Sequence, residues 1–344
     1  MTLTGIILLL LAGFAQGSFG MGMKNQKPLS WEAFWFIYSL VAMLVIPIIW
    51  GIISSGSFFD AIFTTDGGTL FSAILLGFLW GIGGILFGVS VNYVGVSITN
   101  GVVMGLAGGL GAIIPLFSIE GATSQPSFPY VIIGVAIMLI GVGMSAYSGI
   151  LRDKEQGQSS ESGNSGDKSL LVKGMILVTL SGVLSSLLNI GFEAATPVLA
   201  NAKSMGMSDA AAAIPPRAIV VFGGLLMNLG YAIYLLCKNN TWSDFSNLDS
   251  PKVKSIVWAK ITGLLWFLPL GLSGIVASSI GEMGNVITWP VMLALSLVFG
   301  NIWGYVSGEW KGTKRSFSIM TCAAVVLIVA CLILTFKDSL PAIC

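Results

Sequence analysis

The residues most able to do chemistry are a few acidic side chains in or beside long apolar segments. Glu193 lies in the sequence NIGFEAATP, beside Asn189 and before Pro197. A carboxylate in an apolar phase costs free energy unless it is paired or hydrated, so it is a functional candidate. Glu193 is predicted either to bind and release a proton, or to lie at a polar boundary and pair with Arg217. Glu282, in GEMGN, is the second candidate, with a loop position as its alternative.

Amide and indole side chains in similar segments are suited to a hydroxyl-rich solute. An amide both donates and accepts hydrogen bonds, and a flat indole can cover the C–H face of a sugar ring. For each of these residues, packing between helices is the alternative interpretation. The predicted substrate-binding residues are Gln16, Trp80, Asn100, Asn189, Trp266 and Asn285.

The sequence also excludes several kinds of site. It contains no histidine, which removes His-based catalysis and His-ligated zinc. Its four cysteines show neither CxxC pairing nor metal-ligand spacing, and no GxxxxGK[ST] phosphate loop is present. The net charge is +1 without a long basic run, so no nucleic-acid partner is expected. We predict a protein that is not an enzyme and that needs no metal or cofactor.

Composition places these residues in a membrane. The chain is 55% hydrophobic and 9% charged, whereas soluble domains carry about 25% charged residues. About 20 apolar residues cross a bilayer as a helix, and the stretch 67–119 is long enough for two helices that meet near Tyr93. The sequence predicts an all-α polytopic membrane protein with ten transmembrane helices, in uncharged stretches at 1–23, 33–59, 67–119, 121–151, 174–192, 218–237, 261–281, 283–309 and 316–336.

Basic residues predict the orientation, because cytoplasmic loops carry more lysine and arginine than outer loops. Of the 16 basic residues, 13 fall in or beside the odd-numbered loops, counting the connection between helices 1 and 2 as the first. The other three are Lys203, Arg217 and Lys337. The odd loops are therefore predicted to face the cytoplasm, with both termini outside, in a multi-pass protein of the cell (inner) membrane.

A hydrophilic segment, RDKEQGQSSESGNSGDKS (152–169), divides the chain near its middle. It is rich in Ser and Gly and predicts a flexible cytoplasmic linker. The linker separates five helices in 1–151 from five in 170–344, and an odd number per half means that any repeat is inverted in the membrane. The motif Phe78-Leu79-Trp80 in the first half resembles Leu264-Leu265-Trp266 in the second. The sequence thus predicts two inverted five-helix repeats.

Several segments resemble the L-rhamnose–proton symporter family of the drug/metabolite transporter superfamily. The segment LWGIGGILFGVSVNYVGVSITNGVVMGLAGGLGAIIPL (79–116) is similar to helices 3 and 4 of that family, and its WGIG…YxGxS core is the most specific part. Further similarities are Ser-Trp-Glu at 30–32, MNLGYAIYLL at 227–236, and the Glu309-Trp310 pair followed by basic residues. The resemblance implies ten helices, inverted repeats and proton-coupled uptake. Many members of the superfamily place both termini in the cytoplasm, whereas the basic residues here predict them outside.

These observations lead to one leading hypothesis and two rivals. The leading hypothesis is a secondary transporter that imports a monosaccharide, such as a rhamnose-like deoxy sugar, by proton symport with alternating access. Its partners are the sugar, the lipid bilayer and a coupling proton, with sodium as the alternative ion. The rivals are an exporter of metabolites or drugs from the same superfamily, and a non-transporting membrane sensor.

Overall fold

A computed structural model describes residues 2–157, 168–246 and 248–339. Within these residues, ten helices are long and apolar enough to cross a membrane. This confirms the predicted all-α membrane fold. The helices are α1 (Leu3–Met23), α2 (Trp31–Ser54), α3 (Gly67–Val94), α4 (Val96–Ser118), α5 (Phe128–Glu155), α6 (Leu170–Ser204), α7 (Asp209–Asn239), α8 (Ser250–Ile280), α9 (Gly284–Val306) and α10 (Lys314–Ser339).

The predicted linker is shorter at both ends than its composition suggested. Helix α5 continues to Glu155, and helical structure resumes at Lys168. Both helices therefore extend with charged residues beyond the apolar stretches of the sequence. The rest of the linker, residues 158–167, lies outside the described residues.

Three membrane helices are irregular near prolines. Helix α2 contains a π-helical turn at Val41–Val45 just before Pro47. Helix α6 is interrupted at Ala195, two residues before Pro197, and α7 at Ala213, two residues before Pro215. Proline has no backbone N–H and cannot close a helical hydrogen bond. The interruptions in α6 and α7 lie within a turn or so of Glu193 and Arg217, so they set the positions of both side chains.

Hydrogen bonds between distant residues assign the loops to two ends of the bundle. We call the end formed by the loops after α1, α3, α5, α7 and α9 the odd-loop end, and the other the even-loop end. At the odd-loop end, Ser316 at the start of α10 donates to Glu155 at the end of α5. At the even-loop end, Asn201 near the end of α6 donates to the carbonyl of Ala61, between α2 and α3. The helices therefore alternate in direction along the chain.

The principal contacts between helices recur when five is added to each helix number. The contact of α3 with α6 has its counterpart in α8 with α1, and α3 with α7 has its counterpart in α8 with α2. Likewise, α1 with α9 corresponds to α6 with α4, and α4 with α5 corresponds to α9 with α10. The contacts α2–α7, α4–α9 and α5–α10 each join a helix to its own counterpart in the other half. The principal helix contacts of one half of the chain therefore have counterparts in the other half.

Close helix contacts at the centre depend on small residues. A Cβ atom added to Gly77 of α3 would overlap the backbone carbonyl of Val220 in α7. Glycine lets the two backbones approach to this distance, as is common between membrane helices. Phe34, Tyr38 and Phe267 are almost fully buried and, like Val220, belong to the largest apolar cluster among the described residues.

Candidate functional site

A network of polar side chains joins three helices near the even-loop end. Glu193 lies in the last regular turn of the first segment of α6, and Asn285 is the second residue of α9. The Asn285 amide nitrogen donates to Glu193 Oε2 over 3.0 Å, and its carbonyl oxygen accepts from Arg217 Nη2 over 3.0 Å. Asn285 therefore connects the carboxylate of α6 to the guanidinium of α7.

Arg217 is the most enclosed member of this network, with 4% of its surface exposed. Its Nε donates to the carbonyl of Leu270 over 2.9 Å and its Nη1 to the carbonyl of Ala213 over 3.2 Å. Its guanidinium carbon lies 5.0 Å from the ring centre of Phe192. A Cβ on Gly274 of α8 would overlap the guanidinium, so glycine makes the space for it. A buried cation needs such hydrogen bonds and a nearby anion, and Glu193 supplies the negative charge through Asn285.

Next to this network, Asn189 and Trp289 close the contact between α4, α6 and α9. Pro115 lacks an N–H, which leaves the carbonyl of Gly111, four residues earlier in α4, without its helical donor. The Asn189 amide donates to that carbonyl and satisfies it. The Trp289 indole donates to the carbonyl of Ala107 over 3.0 Å. The even-loop half of the bundle is therefore closed by buried, hydrogen-bonded side chains.

The odd-loop half contains a cavity between α1, α4, α5 and α9, with a volume of about 320 Å³. It extends from Arg152 to Val142 along α5, which is about 15 Å at the rise of an α-helix. It therefore ends near the middle of the bundle. Its polar lining residues are Gln16, Ser97, Asn100, Ser145, Arg152, Ser296, Asn301 and Trp310, and its apolar side chains include Phe19, Met104, Val142 and Leu297.

Two buried polar atoms of residues that line this cavity have no hydrogen-bond partner in the described part of the chain. They are Gln16 Oε1, an acceptor, and Trp310 Nε1, a donor. The third such side-chain atom among the described residues is Ser39 Oγ, and Ser39 is not among the residues that line the cavity. A buried polar group without a partner costs about 1–3 kcal/mol. Both residues line the cavity, but these two atoms are themselves enclosed by protein.

A cluster of charged and polar side chains lies at the mouth of the cavity and connects the ends of four helices. Glu309, just after α9, accepts from Lys24 at the end of α1 over 2.6 Å and from Arg152 of α5 over 3.2 Å. Arg152 also pairs with Asp153 over 3.0 Å, and Asp153 accepts from Ser97 of α4. Arg152 stands 5.1 Å above the ring of Trp310. The four helices around the cavity are therefore linked at their odd-loop ends.

The six predicted substrate-binding residues fall into three places. Gln16 and Asn100 line the cavity. Asn189 and Asn285 lie beside Glu193 near the even-loop end. Trp80 and Trp266 pack against each other, with ring centres 5.4 Å apart. Tyr38 packs edge-on against Trp266, and none of these three aromatic residues is among the cavity-lining side chains.

The two predicted acidic candidates differ in their surroundings. Glu193 is half-buried and bound to Asn285, whereas Glu282 is exposed in the turn between α8 and α9. The predicted pairing of Glu193 with Arg217 is mediated by Asn285.

Sequence reasoning missed several residues of the site. Trp310 and Arg152 enter the cavity from the loops and helix ends, where a sequence gives no indication of depth. Ser145 was also missed, because a serine among the apolar residues of α5 carries no distinct signal. It accepts from the amide of Asn301 over 3.3 Å. The Glu309-Trp310 pair was the available signal, since it stood out as a motif at the end of helix 9.

Comparison with known proteins identifies the family. Residues 1–338 match the family of the L-rhamnose-proton symport protein (RhaT). The L-rhamnose-proton symporter of Yersinia pestis (strain Pestoides F) is 27% identical over 333 residues, which are 95% of each chain. The L-rhamnose-proton symporter of Yersinia pestis bv. Antiqua (strain Antiqua) is 28% identical over 333 residues, with the same shares covered. These relatives are named as transporters and not as enzymes. The chain belongs to the L-rhamnose-proton symport protein family.

Proposed function

We propose that this protein imports L-rhamnose or a closely similar deoxy sugar together with a proton. The observation that carries the proposal is the polar cavity of about 320 Å³ that ends in the middle of a ten-helix bundle. Pockets for small molecules have volumes of about 300–1,000 Å³, so this one suits a solute of monosaccharide size. The family membership and the names of the relatives supply the substrate class and the coupled ion.

The proposed orientation puts the odd-loop end in the cytoplasm and both termini outside. It rests on the 13 basic residues in or beside the odd loops and on the positive-inside rule. In this orientation the cavity opens toward the cytoplasm and the network of Glu193, Asn285 and Arg217 lies toward the outside. The state would therefore be the one that releases sugar inside the cell.

Alternating access would use the two halves of the chain as inverted repeats. The proposed repeats are residues 1–151 and 170–344, joined by the linker 152–169. The exchange symmetry of the helix contacts supports them, because every principal contact has its counterpart in the other half. Rocking of one half against the other would close the odd-loop end and open an equivalent cavity at the even-loop end.

Glu193 is the proposed proton site. It would take up a proton from the outside and release it to the cytoplasm after the bundle switches. The charged group that faces it is Arg217 of α7, through Asn285, while Glu282 precedes Asn285 in the α8–α9 turn. Lys203 and Asp209, also at this end, pair with each other over 2.7 Å. With no histidine in the sequence, a carboxylate is the natural group to bind and release the coupling proton.

Uptake by proteoliposomes tests the proposal. Purified protein should accumulate labelled L-rhamnose when the outside is more acidic than the inside, and a sodium gradient alone should not drive accumulation. Replacing Glu193→Gln should abolish pH-driven accumulation but leave exchange of labelled for unlabelled sugar. The exposed Asp60 lies at the same end, and Asp60→Asn is the matched control that should keep coupled uptake.

Three results would change the conclusion. Unchanged accumulation in the Glu193→Gln protein would remove Glu193 as the proton site, and Glu282→Gln would then be the next variant. Accumulation driven by a sodium gradient would show that the coupling ion is sodium and not the proton. Failure of the wild-type protein to restore growth on rhamnose in cells that lack rhamnose uptake would favour the exporter.

A further inference from the structure

We propose that an anionic phospholipid binds in a pocket between the ends of α9 and α10, which we call the α9–α10 pocket. Its volume of about 550 Å³ is within the usual range for small-molecule sites. It lies at the odd-loop end and shares only Trp310 with the lining of the odd-loop cavity. The proposal goes beyond solute transport, because it concerns the lipid around the protein. The pocket is lined by Glu155, Tyr305, Trp310, Gly312, Thr313, Lys314, Arg315 and Phe317.

The α9–α10 pocket carries positive charge without a partner in the described part of the chain. Lys314 and Arg315 line it, and Lys311 lies in the loop just before them. All three residues are exposed, and none of their side chains forms an ion pair or a hydrogen bond with a described residue. By contrast, Arg152 at the mouth of the odd-loop cavity pairs with Glu309. The unpaired cations therefore favour an anionic ligand.

Glu155 is the acidic residue of this lining, and it does not cancel the charge of the pocket. Its Oε2 accepts a hydrogen bond from Ser316 Oγ over 2.7 Å, so this oxygen is held at the start of α10. The two cations and one carboxylate of the lining leave a net charge of +1, to which Lys311 adds from the loop. The phosphate diester of a phospholipid carries a single negative charge and would balance the lining.

One wall of the α9–α10 pocket belongs to the outer surface of the bundle. Tyr305 lies in the last turn of α9, is 61% exposed, and packs with its ring centre 5.4 Å from that of Phe317 in α10. Tyrosines of membrane helices concentrate at the level of the lipid headgroups. A bound phospholipid would place its phosphate at Lys314 and Arg315 and its acyl chains beside Tyr305. A free phosphate has no apolar part to use this wall.

The start of α10 adds to the preference for a phosphate. The hydroxyl of Thr313, the N-cap residue, donates to the carbonyl of Trp310 and makes no hydrogen bond to the first turn of α10. The N–H groups of a first helical turn have no partner within the helix, and they carry partial positive charge. They lie at the same place as the basic side chains. Basic pockets between membrane helices are typical sites for anionic lipid headgroups.

Equilibrium binding of labelled phosphatidylglycerol to purified, full-length protein in a nonionic detergent tests the proposal. Wild-type protein should bind it about tenfold more tightly than phosphatidylcholine with the same acyl chains. The double variant Lys314→Gln/Arg315→Gln should weaken the Kd for phosphatidylglycerol about tenfold or more, since each basic residue contributes roughly fivefold. In detergent without the lipid, this variant should melt with the wild type, because both residues are exposed.

Two further variants separate a specific site from general surface charge. Lys254→Gln/Lys260→Gln removes the same charge from two exposed residues in the odd-loop half of α8, and neither residue lines the pocket. It should leave the Kd within about twofold. Glu155→Gln removes the carboxylate of the pocket but keeps an oxygen that can accept from Ser316. It should tighten the Kd severalfold, a change that a merely structural role of Glu155 would not produce.

Equal binding of phosphatidylglycerol by the wild type and by Lys314→Gln/Arg315→Gln would overturn the proposal. An equal loss in the α8 control would also overturn it, because the lipid would then respond to surface charge in general. Displacement of the labelled lipid by an equal concentration of inorganic phosphate would show a site for free phosphate, and the lipid assignment would be wrong.

If Lys314→Gln/Arg315→Gln does not fold, Glu155→Gln decides the question. Tighter binding of phosphatidylglycerol by Glu155→Gln supports the proposal, and unchanged or weaker binding overturns it. No sugar is present in these measurements, so their result leaves the proposed transport function unaffected.

Discussion

Arg217 at the even-loop end and Arg152 at the odd-loop end are both associated with a glutamate, yet their surroundings differ. Arg217 is 4% exposed and donates to two backbone carbonyls and to Asn285. The Arg152 side chain is 24% exposed and pairs directly with Glu309, whose side chain is 38% exposed. Lys24, the other partner of Glu309, is 52% exposed. One end is held by desolvated hydrogen bonds and the other by solvated ion pairs.

This difference has an energetic consequence. Removing one partner from a buried charged network costs about 3–5 kcal/mol, because the remaining charge stays without compensation. An exposed ion pair contributes about 0–1 kcal/mol. The even-loop end should therefore resist opening in this state, while the odd-loop end can open at small cost. That asymmetry is what a carrier needs when it releases its solute on one side only.

The largest effect is expected from Arg217→Met. It removes the buried cation with its hydrogen bonds to the carbonyls of Leu270 and Ala213, and it leaves Glu193 without its counter-charge. The thermal midpoint in detergent should fall strongly, corresponding to about 3–5 kcal/mol, and transport should be lost. Arg217→Lys should keep more of the stability and transport than Arg217→Met but less than the wild type. An ammonium group cannot donate to the same three acceptors that the planar guanidinium reaches.

Arg315→Met is the matched control, since Arg315 is exposed at the start of α10. It should leave the thermal midpoint almost unchanged. An Arg217→Met protein that melts with the wild type and still transports sugar would show that the even-loop network is dispensable, and the contrast between the two ends would disappear.

Part of this arrangement was available from the sequence. Apolar length predicted the ten crossings, and the scarcity of acids in apolar segments singled out Glu193. Helix ends were less well predicted, because helices continue into water. Helix α8 begins at Ser250, well before the uncharged stretch 261–281, and its first turns carry lysines. A short helix at Phe58–Phe63 also replaces the predicted end of helix 2 at residue 59.

The composition of the site could not be predicted, because it depends on contacts between distant helices. Asn285 and Glu193 were separate candidates, and only the fold brings Arg217 to the same amide. Trp310 lies beyond the last regular turn of α9, and its entry into the cavity depends on how the following loop folds back. The spacing of residues along the sequence does not indicate whether a loop folds back into a cavity in this way.

An intermediate loss of thermal stability is expected on replacing Asn189 in the even-loop half, but not on replacing Asn301 in the odd-loop half. Asn189→Leu leaves the Gly111 carbonyl without a donor, because Pro115 cannot supply one. The thermal midpoint should fall by an amount equivalent to about 1–3 kcal/mol, the cost of a buried unpaired carbonyl. Asn301→Leu removes a bond of 3.3 Å to Ser145 inside the cavity, where water can take its place.

The Asn301→Leu protein should therefore melt close to the wild type but bind the sugar more weakly. Thermal melting and sugar binding measured on the two proteins give the comparison. Equal melting points would mean that the even-loop half is no more tightly closed than the cavity.

The smallest effect on stability is expected from the ionic cluster at the cavity mouth. Lys24→Glu and Glu309→Lys each break the 2.6 Å pair. The double variant restores that pair with the charges exchanged, but it does not restore the pair of Glu309 with Arg152. Because the pair is exposed, each single change should alter stability by less than about 1 kcal/mol. Each should nevertheless change the transport rate severalfold, since the pair joins the ends of α1 and α9 across the mouth. The double variant should recover part of that rate, and the effect should shrink in high salt.

The pair of Lys203 and Asp209 provides the control for this last experiment. It has a similar length of 2.7 Å, but its residues are only six positions apart, so it joins neighbouring segments and not distant helices. The same charge exchange there should leave both the stability and the rate unchanged. If the two exchanges affected transport equally, the rate would report general surface charge. If only the exchange of Lys24 and Glu309 did so, the odd-loop cluster would control access to the cavity, because the two pairs differ in the helices that they join.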